Sequence, residues 1–313
     1  MIPKPPPREA SLGFLYFHPY RVQGISIAGE QTCVMVPELD LCFDMGLCPR
    51  ASLSAKHLAI SHGHMDHIGG LAYWCSQRHF QGMGPGNIVC HKDLVKPIRK
   101  MLEGFNELEE QKTPFNILPL DFEEELEIKN NIFLKAIPLE HTVTAAGYTV
   151  IERRSKLKDE FVGLPQEKLK EIKDGGTEIT RTLHIPLVAY LSDTAPGPAL
   201  LRQDVINAKI VIAECTFVDE DHFERAKVGK HLHIDHIAEW LPVLQAEALV
   251  LVHLSRRSNI AEARKRLRRV AKSARPERVH FLMEYNANRK RYEQQAEDAV
   301  REEAKRQREG AKG

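Results

Sequence analysis

Apolar positions fall into two regimes along the chain. Between Tyr20 and Asp44, short runs at 22–28, 31–36 and 39–44 alternate with Gly and Pro, which predicts antiparallel strands. The apolar run at 58–60 predicts a buried strand over 58–61 that opens directly into a histidine-rich loop. A helix is predicted to start in 69–77, a strand at 87–90, and a helix at 92–103 with Leu94, Val95, Ile98 and Leu102 on one face. Strands follow at 132–137 and 148–151. Residues 152–181 are highly charged, with a helix predicted at 165–172 and stopped by Gly175 and Gly176. Beyond them strands and helices alternate. Strands are expected at 183–191, 209–213, 249–252 and 279–283, and helices at 198–207, 234–246 and 259–273. Clustered strands followed by alternation predict an α/β protein, an αββα sandwich of two mixed sheets with helices outside. The domain is expected to span 1–285. The almost wholly polar 286–313 reads as a charged C-terminal helix or tail.

Composition narrows the class. The 313 residues are 28% charged and 42% hydrophobic with a net charge of +1, which excludes a disordered chain and a wholesale polyanion binder. The apolar runs at 185–191 and 248–252 are far short of the roughly 18 residues of a membrane span. The N-terminal MIPKPPPREA has no apolar signal core. Cys33, Cys42, Cys48, Cys75, Cys90 and Cys215 form no CxxC pair, so reduced thiols and a cytoplasmic location are expected. The unusual count is histidine, at 15.

Three histidines and an aspartate, four potential ligands, sit in Ser61-His62-Gly63-His64-Met65-Asp66-His67, at the end of the 58–61 strand. Alternation puts His62 and His64 on one side of a loop, while Asp66 and His67 follow on a turn. Two ligand groups aimed differently suit two adjacent metal ions. Imidazole with carboxylate suits Zn2+, with Mn2+ or Fe as alternatives.

This HxHxDH pattern resembles the metallo-β-lactamase fold hydrolases. Four later features match in order: His141 ahead of Gly147-Tyr148, Asp193 in Leu-Ser-Asp-Thr, Glu214-Cys215-Thr216-Phe217, and His253 in Val-Leu-Val-His-Leu-Ser-Arg. The set is most similar to the tRNase Z branch, zinc phosphodiesterases that trim tRNA 3′ ends. Glu214–Phe217 matches its E-A-T-F loop, His231-Leu232-His233 its H-S-T loop, and Asp44 its early Asp-containing turn. The resemblance implies that His62, His64 and His141 hold one zinc ion, Asp66, His67 and His253 a second, and Asp193 both. It implies three catalytic roles: Asp66 orients a metal-activated water, His231 protonates the leaving 3′-oxygen, and Glu214 holds the other ring nitrogen of His231. Arg78, His233 and Arg256 are candidate substrate contacts. The implied partner is RNA, a tRNA precursor, or a small phosphodiester, with no membrane and with a homodimer left open.

Departures accompany the match. The early turn continues Gly46-Leu47-Cys48-Pro49-Arg50 where the family has Gly-Glu-Gly-Thr-Gln, and His233 stands for the Thr of H-S-T. The family's elbow-gripping arm with its Gly/Pro-rich tip has no counterpart in the charged 152–182 segment, so weak selectivity for whole tRNA is expected. A hydrolase of a small ester, thioester or cyclic nucleotide is therefore a second reading, and an inactive nucleic-acid-binding scaffold a third. The last would use the basic segment 255–278, with Ile260, Ala263, Leu267, Val270 and Ala274 on its apolar face. A solvated helix face is the alternative for that segment.

Overall fold

Strands that read as continuous apolar runs are those buried on both faces. In the computed structural model, which describes residues 2–271 and 275–310, β12 (Ile210–Glu214) and β13 (Ala248–Val252) are buried at every position. Each belongs to one of two seven-stranded sheets found among the described residues. The first runs in chain order from β1 (Gly13–Phe17) through β2 (Tyr20–Ile27), β3 (Gln31–Val36), β4 (Leu41–Phe43), β5 (His57–Ile60) and β6 (Asn87–Cys90) to β7 (Asn116–Pro119). The second runs from β8 (Glu125–Lys129) through β9 (Ile132–Leu139), β10 (Ala145–Leu157) and β11 (Thr180–Leu191), then β12 and β13, to β14 (Val279–Phe281). In both sheets the early pairings are antiparallel and the later ones parallel.

Three cores define four layers. Leu15, Val34, Phe43, Tyr148, Tyr190 and Val250 interdigitate between the sheets. Outside the first sheet, Leu71 and Trp74 of α2 (Leu71–Phe80) and Ile98 and Leu102 of α3 (Lys92–Leu108) cover Leu58, Ile60 and Ile88. Outside the second, Ile237 and Trp240 of α7 (Ile234–Trp240) and Ala263 and Leu267 of α8 (Ile260–Ala271) cover Val211, Leu249 and Leu251. Each large side chain so buried contributes about 1.5–3 kcal/mol relative to exposure. The αββα sandwich read from the order of elements is the fold observed.

The parallel strands matter most for function. β5, β11, β12 and β13 end at the same edge of the sandwich, where a ligand can sit outside their carboxyl ends. The two sheets are stitched there by a bridge between Ile27 and Leu254.

The boundaries differ from expectation at identifiable places. β1 lies ahead of the first strand the sequence predicts, because its uniformly buried Gly-Phe-Leu-Tyr-Phe shows no alternation. β7 and β8 are edge strands whose Pro119 and glutamates weaken the signal. The helix expected at 198–207 breaks into a 3-10 turn (Pro198–Leu201) and α5 (Gln203–Ile206), and that at 234–246 stops at Trp240. Ser273, expected to end α8, lies outside the described residues. The charged C-terminal segment forms α9 (Tyr285–Gly310), whose first half lies on β1 through the edge-on contact of Tyr292 with Phe14. Residues 311–313 are outside the described residues.

The charged 152–182 segment is not a simple insertion. Residues 153–157 of β10 and 180–184 of β11 pair only with each other, past the last rungs to β9 and ahead of the first to β12. This two-stranded ribbon extends ~17 Å beyond the sheet and ends in α4 (Gln166–Asp174). An arm is therefore present in the place where none was read from the charge pattern. With both faces in water its strands carry charges and no apolar stripe.

Candidate metal centre

Each residue of the expected ligand set stands at a strand end on the shared edge. His62 and His64 follow β5, and Asp66 and His67 lie on the single turn α1 (Met65–Ile68) that follows. His141 lies two residues after β9, Asp193 two after β11, and His253 immediately after β13. Gly46 makes the approach of α1 possible, because a Cβ there would sit 1.8 Å from the Asp66 carbonyl oxygen. His253 itself adopts φ 58°, the left-handed region, a strained conformation for a residue with a side chain.

One donor atom from each of His62, His64, His141 and Asp193 falls in one cluster within 4.8 Å, and one from each of Asp66, His67 and His253 in a second. A third grouping joins Asp193, His231 and His253. Several ring nitrogens converge on one another within these clusters. His62 Nε2 lies 3.0 Å from His64 Nδ1, His141 Nε2 3.3 Å from the same atom, and His67 Nε2 3.2 Å from His253 Nε2.

The outward-facing nitrogens are tied down, as ligating imidazoles require. His67 Nδ1 donates to Asp44 Oδ2 at 2.9 Å and His141 Nδ1 to the Lys230 carbonyl at 3.3 Å. Ser61 Oγ donates to Asp44 and so accepts from His62 Nδ1 at 2.9 Å. Thr216 Oγ1 donates to Glu214 and so accepts from His253 Nδ1 at 2.9 Å. Asp193 Oδ1 is buried and accepts no hydrogen bond. A donor set that is buried, pre-oriented and carries two aspartates fits divalent cations.

The electrostatics agree. Burial opposes ionisation of Asp193, but the imidazoles of His253 and His67 hold its carboxyl well below the usual carboxylate range. Asp66 is likewise held low, by the hydrogen bond from His253 and by His67, against partial burial. Burial with the neighbouring His67 pushes His62 down to about 3, so it stays a neutral donor.

Behind the cluster, Asp44 is fully buried and receives Ser61 N at 2.7 Å and Tyr190 O–H at 2.7 Å besides His67. Tyr190 gave no sign of this in the sequence, since it reads as one more apolar position of a core strand. Thr216 likewise reads only as part of the Glu214–Phe217 motif, yet it links Glu214 to both His253 and His231.

Glu214, at the end of β12, is fully buried and accepts from the backbone N–H groups of Thr194, Leu232 and Thr216, each at 3.0 Å. Besides the Thr216 hydroxyl it also meets His231 Nδ1, at 3.0 Å. The His231 ring stands 5.2 Å from that of His141 and 5.6 Å from that of His253. Burial lowers the pKa of His231, but the hydrogen bond and charge of Glu214 outweigh it and leave the imidazole above its ordinary value.

The candidate substrate contacts land elsewhere. Arg78 is buried, its guanidinium spent on the carbonyls of Leu53, Ala55 and Met83 and set over the Trp74 ring. Arg78→Met is accordingly expected to cost about 2–4 kcal/mol of stability, read as a lower urea midpoint, with metal content unchanged. His233 is fully buried and caps α7, accepting from Asp235 N at 3.2 Å while its Nε2 donates to the Asp219 carbonyl. Arg256 is exposed, with its guanidinium forked onto Glu30. The basic segment is largely paired. Arg264 binds Glu284, Arg266 binds Asp235 and Glu220, Arg269 binds Glu220, and Lys265 binds Glu262. On its apolar face Ala263 and Leu267 are buried, Val270 is exposed, and Ala274 lies outside the described residues.

Comparison with known proteins gives a consistent picture. Residues 47–254 match the family model of the beta-lactamase superfamily domain. The tRNase Z TRZ1 of Arabidopsis thaliana is 33% identical over 246 residues, 78% of this chain and 88% of that protein. The nuclear ribonuclease Z of Triticum aestivum is 35% identical over 52% of this chain and 93% of its own length. Among solved structures, the metallo-beta-lactamase fold protein YhfI from Bacillus subtilis superposes with a TM-score of 0.58 at 15% identity, covering 86% of this chain and 95% of that one. The short form of human tRNase Z superposes with a TM-score of 0.50 at 17% identity over 86% of this chain and 95% of its own.

Proposed function

Because the chain belongs to the beta-lactamase superfamily and, within it, to the tRNase Z family, we propose that it is a zinc-dependent phosphodiesterase acting on the 3′ side of precursor tRNA. The observation that carries this reading is the Glu214–His231 pair facing the ligand cluster. A leaving 3′-alkoxide is a poor leaving group and needs a positioned proton donor, whereas many small activated esters do not.

His62, His64 and His141 would hold one ion, Asp66, His67 and His253 the other, and Asp193 would reach both. Zinc bound there would polarise a phosphoryl oxygen and activate water for attack. The chain's own groups do the rest. Asp66, kept ionised, accepts Gly29 N–H at 2.8 Å through Oδ2 and faces the cluster, placed to orient the attacking water and take its proton. His231 delivers a proton from Nε2 to the departing oxygen, and Glu214 stabilises the cationic ring that does so. Asp44, Ser61 and Thr216 keep the imidazoles in their tautomers.

The ribbon qualifies the substrate reading. Four of its eight cations are committed: Arg154 to Glu152, Arg181 to Asp159, Lys158 to Glu178 and Arg153 to Glu125. The other four, Lys156, Lys168, Lys170 and Lys173, sit among acidic residues, and eight cations against seven carboxylates in 152–182 leave the segment a net charge of only +1 to grip an RNA backbone. Metal-replete protein is expected to cut a precursor tRNA and a minimal acceptor stem with kcat/KM values within about tenfold of each other, roughly 1.4 kcal/mol. A hundredfold preference for the full precursor would show that the arm does hold the elbow. Cleavage of small esters or thioesters with no cut in either RNA would overturn the phosphodiesterase assignment.

A further inference from the structure

A cavity of about 290 Å³ is lined in part by Glu140 and Thr194, the chain neighbours of two of the proposed ligands. Its lining combines the apolar Pro138, Leu139, Pro198 and Ala199 with the largely exposed Glu140, next to His141, and with Thr194, next to Asp193. We propose that this cavity is a nucleobase subsite that takes the base beside the scissile phosphate and selects a ring with an exocyclic amino group. The proposal rests on the RNA reading above and deepens it.

Four features support it. Two proline rings and two aliphatic side chains give apolar walls suited to a flat heterocycle, and the volume sits at the lower end of ligand pockets. Second, Glu140 is held by its own backbone. Its N–H donates to Thr194 Oγ1 at 3.1 Å and its carbonyl accepts Ala195 N–H at 2.7 Å. Oε1 lies 3.5 Å from Lys230 Nζ, while Oε2 faces the cavity, 3.7 Å from where a Gly197 Cβ would be. Third, the remaining charge in the lining is neutralised, because Arg202 is forked onto both Glu123 and Asp204. What the lining offers a ligand is thus a carboxylate acceptor. That rejects a phosphate and favours a donor edge, as on cytosine, adenine or guanine; uracil presents a carbonyl there. Fourth, Arg78 and His233, which the sequence offered as substrate contacts, are spent inside the fold, so a flanking nucleotide needs another seat.

Gly197 supplies the test. Its backbone is extended and any residue can adopt it, and a side chain there points into the cavity without meeting backbone closer than 4.0 Å. Gly197→Leu should therefore fill the subsite while the chain still folds. Glu140→Gln removes the charge but keeps the shape. The readout is competition. Cytidine and uridine 5′-monophosphates are each titrated as inhibitors of a chromogenic phosphodiester that carries no base, using the metal-replete full chain. The ratio of the two inhibition constants is taken for each variant. The wild type should favour the cytidine nucleotide roughly tenfold, as expected for one hydrogen bond to a charged acceptor. That ratio should fall to near one in Gly197→Leu and to about two or three in Glu140→Gln. A wild-type ratio of one, or a ratio that survives Gly197→Leu, overturns the subsite. Precursor cleavage is scored separately, so a preference for cytidine without RNA cutting would sink the RNA reading and leave the subsite standing.

Discussion

Asp193→Asn is expected to empty both halves of the metal centre and to lower turnover by about 10³-fold or more. The argument is positional. Asp193 Oδ2 lies 3.7 Å from His62 Nε2, 3.9 Å from His141 Nε2 and 3.5 Å from His67 Nε2, while Oδ1 lies 3.3 Å from His253 Nδ1. It is the one carboxylate that faces both groups of imidazoles, so its loss cannot be confined to one ion. Charge stabilisation by bound metal supplies several kcal/mol of the barrier, and each 1.36 kcal/mol is tenfold in rate. Elemental analysis after desalting should show about two ions per chain in the wild type and well under one in Asp193→Asn. His62→Ala, by contrast, should lose mainly the ion it shares with His64 and His141. Loss of metal should also lower thermal stability, because ions that bind only the folded state stabilise it by mass action. Two ions retained in Asp193→Asn with near-normal turnover would remove the bridging role. No metal in a well-folded wild type would remove the hydrolase mechanism altogether.

How much of this could be read in advance depends on how local the signal is. His62, His64, Asp66 and His67 fall within six residues just past a strand end, and their spacing alone carries chemistry. His141, Asp193, Glu214 and His253 are single residues that become informative only in order, each after an apolar run; the fold explains why, since those runs are strands ending on one edge. Asp44 could be noticed as a charged residue at the end of a strand, but its partner Tyr190 could not, because a buried tyrosine in β11 looks like core until its hydroxyl finds a carboxylate. Arg78 and His233 mislead for the converse reason. Residue type suggests phosphate contact, and only the direction of the side chain shows that each satisfies backbone groups within the fold. The ribbon escaped because a two-stranded arm solvated on both faces has no apolar periodicity to betray it.

His231→Ala should lower turnover on substrates with alkoxide leaving groups by roughly 10²–10⁴-fold, the usual range for general acid catalysis, with metal content unchanged. His231 Nδ1 is engaged by Glu214 at 3.0 Å, which leaves Nε2 as the nitrogen free to give up a proton. The loss should shrink sharply for a nitrophenolate leaving group, which departs without a proton. Glu214→Gln should cost less than His231→Ala, because it removes the partner that tunes the ring and leaves the ring itself. The pH profile separates this role from ligation. The imidazole must be protonated to act, and its pKa lies above the ordinary value because Glu214 and Asp193 outweigh burial. Turnover on the alkoxide substrate should therefore hold at low pH on this limb and fall as pH rises through that pKa. In Glu214→Gln the fall should move to lower pH, since the supporting charge is gone. The grouping of Asp193, His231 and His253 within ligand reach defines the competing role. If His231 ligates a metal, His231→Ala loses metal, and alkoxide and nitrophenolate substrates suffer alike.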